Sequence, residues 1–169
     1  MRAMEGVFTM AESFAILDSS GRLPRGEERA LYLRRFGAGD RSTRIVLADL
    51  VAVLAEAGVG ADDLANVEIV LAEALNNVSE HAYPQGAGPV ELSVAIGPSG
   101  LKCTISDHGQ PMPDGRAPKG GEPRIEPPDH LPEGGFGWHI IRCLTSDLRY
   151  ARHEDRNTLS MLVPWSDLD

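Results

Sequence analysis

The chain of 169 residues is short of cysteine, of aromatic residues and of positive charge, and it holds no long apolar run. Two cysteines, Cys103 and Cys143, stand forty residues apart with no paired His or Cys at zinc-ligand spacing, which excludes a disulfide framework and a metal cage. Both read as buried thiols. Aromatics are 5% of the residues, and Trp138, Trp165, Tyr32 and Tyr150 are scattered rather than interleaved with basic residues. That pattern provides no stacking platform for single-stranded nucleic acid and reads as core or edge packing. With 16 Lys+Arg against 25 Asp+Glu, the formal charge of −9 repels a phosphate backbone, so nucleic acid is not an expected partner. No apolar stretch approaches the roughly 20 residues that span a bilayer, so no membrane span is expected. The N-terminus has acidic residues and no apolar signal-peptide core, which makes the cytoplasm the expected location.

What is present reads as one α+β domain. Residues 1–27 show neither period and read as an N-terminal extension, leaving 28–169 as the domain. Ala30 to Phe36 alternates as a strand, and Asp40 is a plausible N-cap for a first helix. That helix sets Ile45, Leu47, Ala48, Leu50, Val51 and Leu54 at helical spacing and stops at Gly58. Asp62 and Asp63 open a second helix, Leu64 to about Tyr83, with Leu64, Val67, Val70, Leu71, Ala74, Leu75 and Val78 on its apolar stripe. PVELSVAIG and LKCTIS then form a hairpin about Pro98-Ser99-Gly100. From Asp107 to Gly137 most of the prolines and many glycines collect in one long loop, a length usually reserved for functional lids or disorder. A short helix, GWHIIRCLTS, and two strands, LRYARHED and NTLSMLVPW, follow. The order predicts a two-layer sandwich: a mixed, mostly antiparallel sheet with helices on one face.

Chemistry is concentrated at three places. On the second helix Glu73 and Asn77, four apart, share one face beside the apolar stripe. Asn77 offers the neutral oxygen that magnesium accepts beside phosphate and water, and Glu73 can take a proton from an attacking hydroxyl. Either could equally be a plain solvated or capping residue. Asp107 closes a strand and can accept a hydrogen bond from an exocyclic amine, with Gly109 leaving room for a flat ring; D-x-G is also an ordinary turn. Gly134 to Gly137, GGFG, opens the third helix, so free backbone N–H groups of Gly135, Phe136 and Gly137 could face phosphates, although glycine clusters also mark simple turns. The five histidines have no metal-like spacing and are assigned no catalysis, and His81 reads as structural.

In this order and spacing the chain resembles the GHKL ATPase superfamily, and within it the anti-sigma-factor serine/threonine kinases of the RsbW type, over residues 28–164. AEALNNVSEHAY resembles the family's N box, DHGQP its first glycine box and EGGFGWHII its second. The resemblance implies a Bergerat-type ATP-binding fold, ATP and Mg2+ as cofactors, Glu73 as general base and Asn77 as the magnesium ligand. It further implies Asp107 and Gly109 as readers of adenine, Gly135 and Gly137 with neighbouring amides as the phosphate cradle, and a lid at about 108–134. Thr158 sits where the superfamily has a threonine supporting the adenine-binding aspartate. The partners implied are a STAS-domain anti-anti-sigma protein as phosphorylation substrate, a sigma factor, and a second copy in a homodimer, with the first helix or an N-terminal strand as candidate contact.

The sequence departs from that pattern at Glu80, where a basic residue is usual, at Trp138, where leucine is usual, and in the length of the lid, whose Arg116, Lys119 and Arg124 are candidate phosphate partners. Glu80 and the long lid leave room for a second reading, an ATP-gated protein-binding regulatory module without kinase activity. A detached histidine-kinase catalytic domain would need a phosphoacceptor histidine in trans, because the chain has no long helical hairpin to carry one.

Overall fold

The computed structural model describes residues 28–118 and 136–166. The extension 1–27, Gly135 and residues 119–134 of the expected lid lie outside the described residues. Along the chain the elements are β1 (Arg29–Gly37), α1 (Asp40–Glu56), α2 (Ala61–Asn77), a π-helical turn (Val78–Ala82), β2 (Pro89–Gly97), β3 (Gly100–Asp107), α3 (Phe136–Leu144), β4 (Ser146–His153) and β5 (Arg156–Pro164).

The five strands form one sheet in the order β1-β2-β3-β5-β4. Every pair is antiparallel, so the mixed sheet expected from the sequence is a uniformly antiparallel one. Strand alternation assigns the faces. Val90, Leu92, Val94 and Ile96 of β2, Leu101, Cys103 and Ile105 of β3, and Leu159, Met161 and Val163 of β5 are all buried. Their neighbours Ser93, Thr104, Thr158 and Ser160 lie on the opposite face. The helices cover the apolar face with Val46, Leu47, Leu50 and Leu54 of α1 and Val67, Val70, Leu71, Ala74 and Leu75 of α2. Each fully buried Leu contributes about 1.5–3 kcal/mol relative to exposure.

Two helix expectations shift. The buried face of α1 starts at Thr43 and Val46, whereas Ile45 is 55% exposed and Ala48 is also turned outward. Asp40 is the first helical residue and Gly39 occupies the N-cap, with no side-chain cap bond. Helix α2 does not run unbroken to Tyr83. It ends at Asn77 and gives way to the five-residue π turn Val78–Ala82, whose terminal carbonyl, that of Ala82, accepts a hydrogen bond from Gln110 N–H at 2.9 Å. A π turn sitting between two candidate motifs positions both, because it joins the end of α2 to the backbone that follows β3.

Candidate functional site

Helix α2 presents Glu73 and Asn77 at the margin of its buried stripe, each half-buried, between the core residues Ala74, Leu75 and Val78. Asn77 Nδ2 donates to the Glu73 carbonyl at 2.8 Å, one turn back. That bond settles the amide's orientation and leaves Asn77 Oδ1 without a protein donor among the described residues. The Glu73 carboxylate likewise has no hydrogen bond or ion pair among the described residues.

Helix α3 packs on α2 through Ile141, which is fully buried. One turn earlier, Gly137 occupies the same face and is thereby aimed at Glu73. A Cβ built on Gly137 would stand 2.5 Å from Glu73 Oε2 and 3.7 Å from Asn77 Nδ2. Only a glycine lets the first turn of α3, whose backbone N–H groups have no partner within the helix, approach these two side chains so closely. Phe136, the first residue of α3, is exposed. The structure thus brings the pair Glu73 and Asn77 to the pair Phe136 and Gly137, although the two pairs lie more than fifty residues apart in the chain.

Asp107 ends β3 on the helix-covered face and is 6% exposed. Its Oδ1 accepts from Gly109 N–H at 2.8 Å and from Asn157 Nδ2 at 2.8 Å. Asn157 lies directly opposite Asp107 in the β3–β5 pairing. The support that the resemblance assigns to Thr158 therefore comes from Asn157. Thr158 is one residue along and points to the outer face, where its hydroxyl lies 3.4 Å from that of Ser106. Gly109 is pressed against the π turn: a Cβ there would come within 2.7 Å of both the Ala82 carbonyl carbon and its Cβ. Tyr83, next in the chain, donates its hydroxyl to the Pro89 carbonyl and accepts from His108 N–H, each at 2.9 Å. Burial holds its phenol above the usual range, so it stays a donor. These contacts tie the end of the Glu73–Asn77 helix to the Asp107–Gly109 segment. A cavity of about 330 Å³ lined by residues 82–87 and Gln110 opens beside this junction, and Glu73, Asn77 and Asp107 do not line it.

Several residues in this region escaped the sequence reading. Arg142 of α3 donates to the carbonyls of Pro118 at 2.8 Å and Ala117 at 3.2 Å, pinning the start of the long loop to α3. Tyr150, read as packing, donates to Asn157 Oδ1 at 2.7 Å, and Arg152 does so at 2.6 Å. Cys143, expected to be buried, is exposed, with its thiol 3.5 Å from His139 Nε2; Cys103 is the buried one. Glu80 and Arg116 are exposed, and Lys119 and Arg124 lie outside the described residues. No helix among the described residues is long and apolar enough to cross a membrane.

The model of the histidine kinase-like ATPase domain family matches residues 36–163. Among curated proteins, the serine-protein kinase RsbW of Bacillus cereus and that of Bacillus anthracis are each 26% identical over 117 residues, covering 68% of this chain and 73% of the relative. The RsbW of Bacillus thuringiensis is 25% identical over the same length. Among solved structures, that of the RsbU and RsbW domains of Rv1364c from Mycobacterium tuberculosis superposes with a TM-score of 0.55 at 20% identity, covering 81% of this chain. This chain spans 33% of that longer one, and the likeness is one of fold. With the family match running from the end of β1 to the end of β5, the chain belongs to the histidine kinase-like ATPase domain family as an RsbW-like member of the GHKL group.

Proposed function

We propose that the site binds ATP with Mg2+ and transfers the γ-phosphoryl group to a serine or threonine hydroxyl of a protein, a STAS-domain anti-anti-sigma factor, in a partner-switching system whose other partner is a sigma factor held by this chain. The observation that carries the reading is the approach of Gly137 to Glu73 and Asn77. It sets a helix N-terminus beside a carboxylate that has no cation, and beside an amide whose oxygen has no donor, among the described residues. Asp107 supplies the acceptor for the exocyclic amine of adenine, and Gly109 keeps the backbone beneath it bare.

Phosphoryl transfer asks a protein mainly for positioning and charge stabilisation. The hydroxyl oxygen of the partner bonds to the γ-phosphorus as the bond from that phosphorus to the β–γ bridging oxygen breaks, leaving ADP. Glu73 accepts the hydroxyl proton. Backbone N–H groups at the start of α3 hold phosphate oxygens. Asn77 Oδ1 is the oxygen ligand that would hold Mg2+, which when bound neutralises charge on the phosphates. No nucleophile is required of this chain.

The test is transfer of radiolabel from ATP to a purified STAS-domain partner, with wild type and Glu73→Gln side by side. Loss of transfer in the variant with ATP binding retained is the expected result. Absence of transfer by the wild type to any such partner, with ATP binding intact, would leave the ATP-gated binding module as the function.

A further inference from the structure

Asn157 is 3% exposed, and its amide is fully engaged. Oδ1 accepts from the Tyr150 hydroxyl at 2.7 Å and from Arg152 Nη1 at 2.6 Å. Nδ2 donates to Asp107 Oδ1 at 2.8 Å and shares its other proton between the carbonyls of Gln110, at 3.2 Å, and Gly109, at 3.3 Å. Turned the other way, the amide would set its oxygen against a carboxylate and two carbonyls, and its NH2 group against a guanidinium and a hydroxyl donor. The cation of Arg152 therefore chooses which end of Asn157 faces Asp107.

The consequence falls on Asp107. Its Oδ1 is occupied by two donors, Gly109 N–H and Asn157 Nδ2, and Oδ2 has no donor among the described residues. A carboxylate clamped on one oxygen presents the other in one direction as a pure acceptor. It pairs with a base edge carrying an amine and opposes one carrying a carbonyl, whose oxygen would face it with no proton between them. Arg152 also donates to the Gly109 carbonyl at 3.1 Å, and the Tyr150 hydroxyl accepts from Met112 N–H at 3.1 Å. The same two side chains of β4 thus hold the backbone on either side of Gln110.

We propose that Arg152 and Tyr150 are positioning residues which, through Asn157, fix Asp107 as an acceptor and so set the preference of the site for an amine-bearing over a carbonyl-bearing purine nucleotide. This rests on the nucleotide-binding reading above. Among the described residues neither side chain bonds Asp107 directly, so both act on it through Asn157.

The experiment compares dissociation constants for ADP and IDP, which differ at this base edge by amine against carbonyl, in the full chain and in Arg152→Met, Arg152→Lys and Tyr150→Phe. Arg152 is exposed, so its variants keep the fold, and thermal melts of the free proteins check this. The expected result is a wild-type preference for ADP that falls about tenfold in Arg152→Met, falls in Tyr150→Phe, and is largely kept in Arg152→Lys, whose ammonium still donates to Asn157. A parallel weakening of both nucleotides, which leaves the ratio unchanged, overturns the proposal, and so does a wild type that binds both equally. A wild type that binds neither overturns the nucleotide-binding reading itself, and this proposal with it.

Discussion

Gly137 and Glu73 meet so closely that a single methyl group added to the glycine would lie 2.5 Å from the Oε2 atom of the carboxylate. The atom in the way is the far end of a flexible side chain, and alanine favours a helix over glycine by about 1 kcal/mol. Gly137→Ala is therefore expected to leave the melting temperature unchanged or slightly raised while displacing Glu73. Misplacement of a reacting group by about 1 Å costs as much as 100-fold in rate, so phosphoryl transfer should drop roughly 10- to 100-fold. A melt and a transfer assay on the same preparation check both halves.

Gly109→Ala should behave in the opposite sense. Here the added Cβ meets the backbone and Cβ of Ala82 in the π turn, which cannot swing aside as a side chain does. Overpacking of this kind costs about 1–3 kcal/mol, and the melting midpoint should fall by several degrees even without nucleotide.

Asp107→Asn replaces the acceptor with an amide of similar size. Loss of a hydrogen bond to a charged group is worth about 1.5–3 kcal/mol, so ATP affinity should fall by one to two orders of magnitude. In a thermal melt, the roughly 2.7 kcal/mol of stabilisation expected of the wild type at 100 times its dissociation constant should shrink accordingly.

On the outer face of the sheet Glu91 of β2 accepts from Arg35 Nε at 2.5 Å and from Arg156 Nη2 at 2.9 Å. The Arg35 bond, aided by Arg156, holds the Glu91 carboxyl below its ordinary 4.5 despite partial burial, which pushes the other way. A carboxyl lowered on folding stabilises fully above that ordinary value and loses its contribution as pH falls through the lower, folded one. Glu91→Gln should thus be less stable than wild type at pH 7, by about 1 kcal/mol or less. The gap should close as both are titrated into acid, below the ordinary carboxyl value and through the lower, folded one. Denaturant melts across pH read this directly.

The two thiols should separate cleanly. Burial pushes the Cys103 thiol up to about 12, which denies it both thiolate character and access, while Cys143 lies on the exposed side of α3. A thiol reagent at pH 8 should titrate one cysteine in the native chain and two after unfolding, with Cys143→Ser abolishing the native reaction.

Much of the site was legible because its parts are local. Glu73 and Asn77 share a helix face by their spacing alone, Asp107 and Gly109 announce the end of a strand, and Gly137 stands at a helix start. Asn157 was missed, and Thr158 named in its place, because the distinction is one of register. In a strand, moving one residue turns a side chain to the other face, and only the pairing of β5 with β3 sets Asn157 against Asp107 and Thr158 against Ser106. Ile45 was misread for a related reason: an apolar residue on the flank of an amphipathic helix fits the period, and packing decides which face turns inward.

The sequence by itself determined the elements, the two-layer α+β class and the three motifs, because helix and strand periods, turns and short spacings follow from the backbone over a few residues. Tertiary structure alone decided that Gly137 closes on Glu73, that the π turn seats Gly109, and that Tyr150 and Arg152 grip Asn157. Those contacts join residues from 5 to 64 positions apart in the chain. Where they depend on strand register and helix docking, their geometry emerges only when the core beneath them closes.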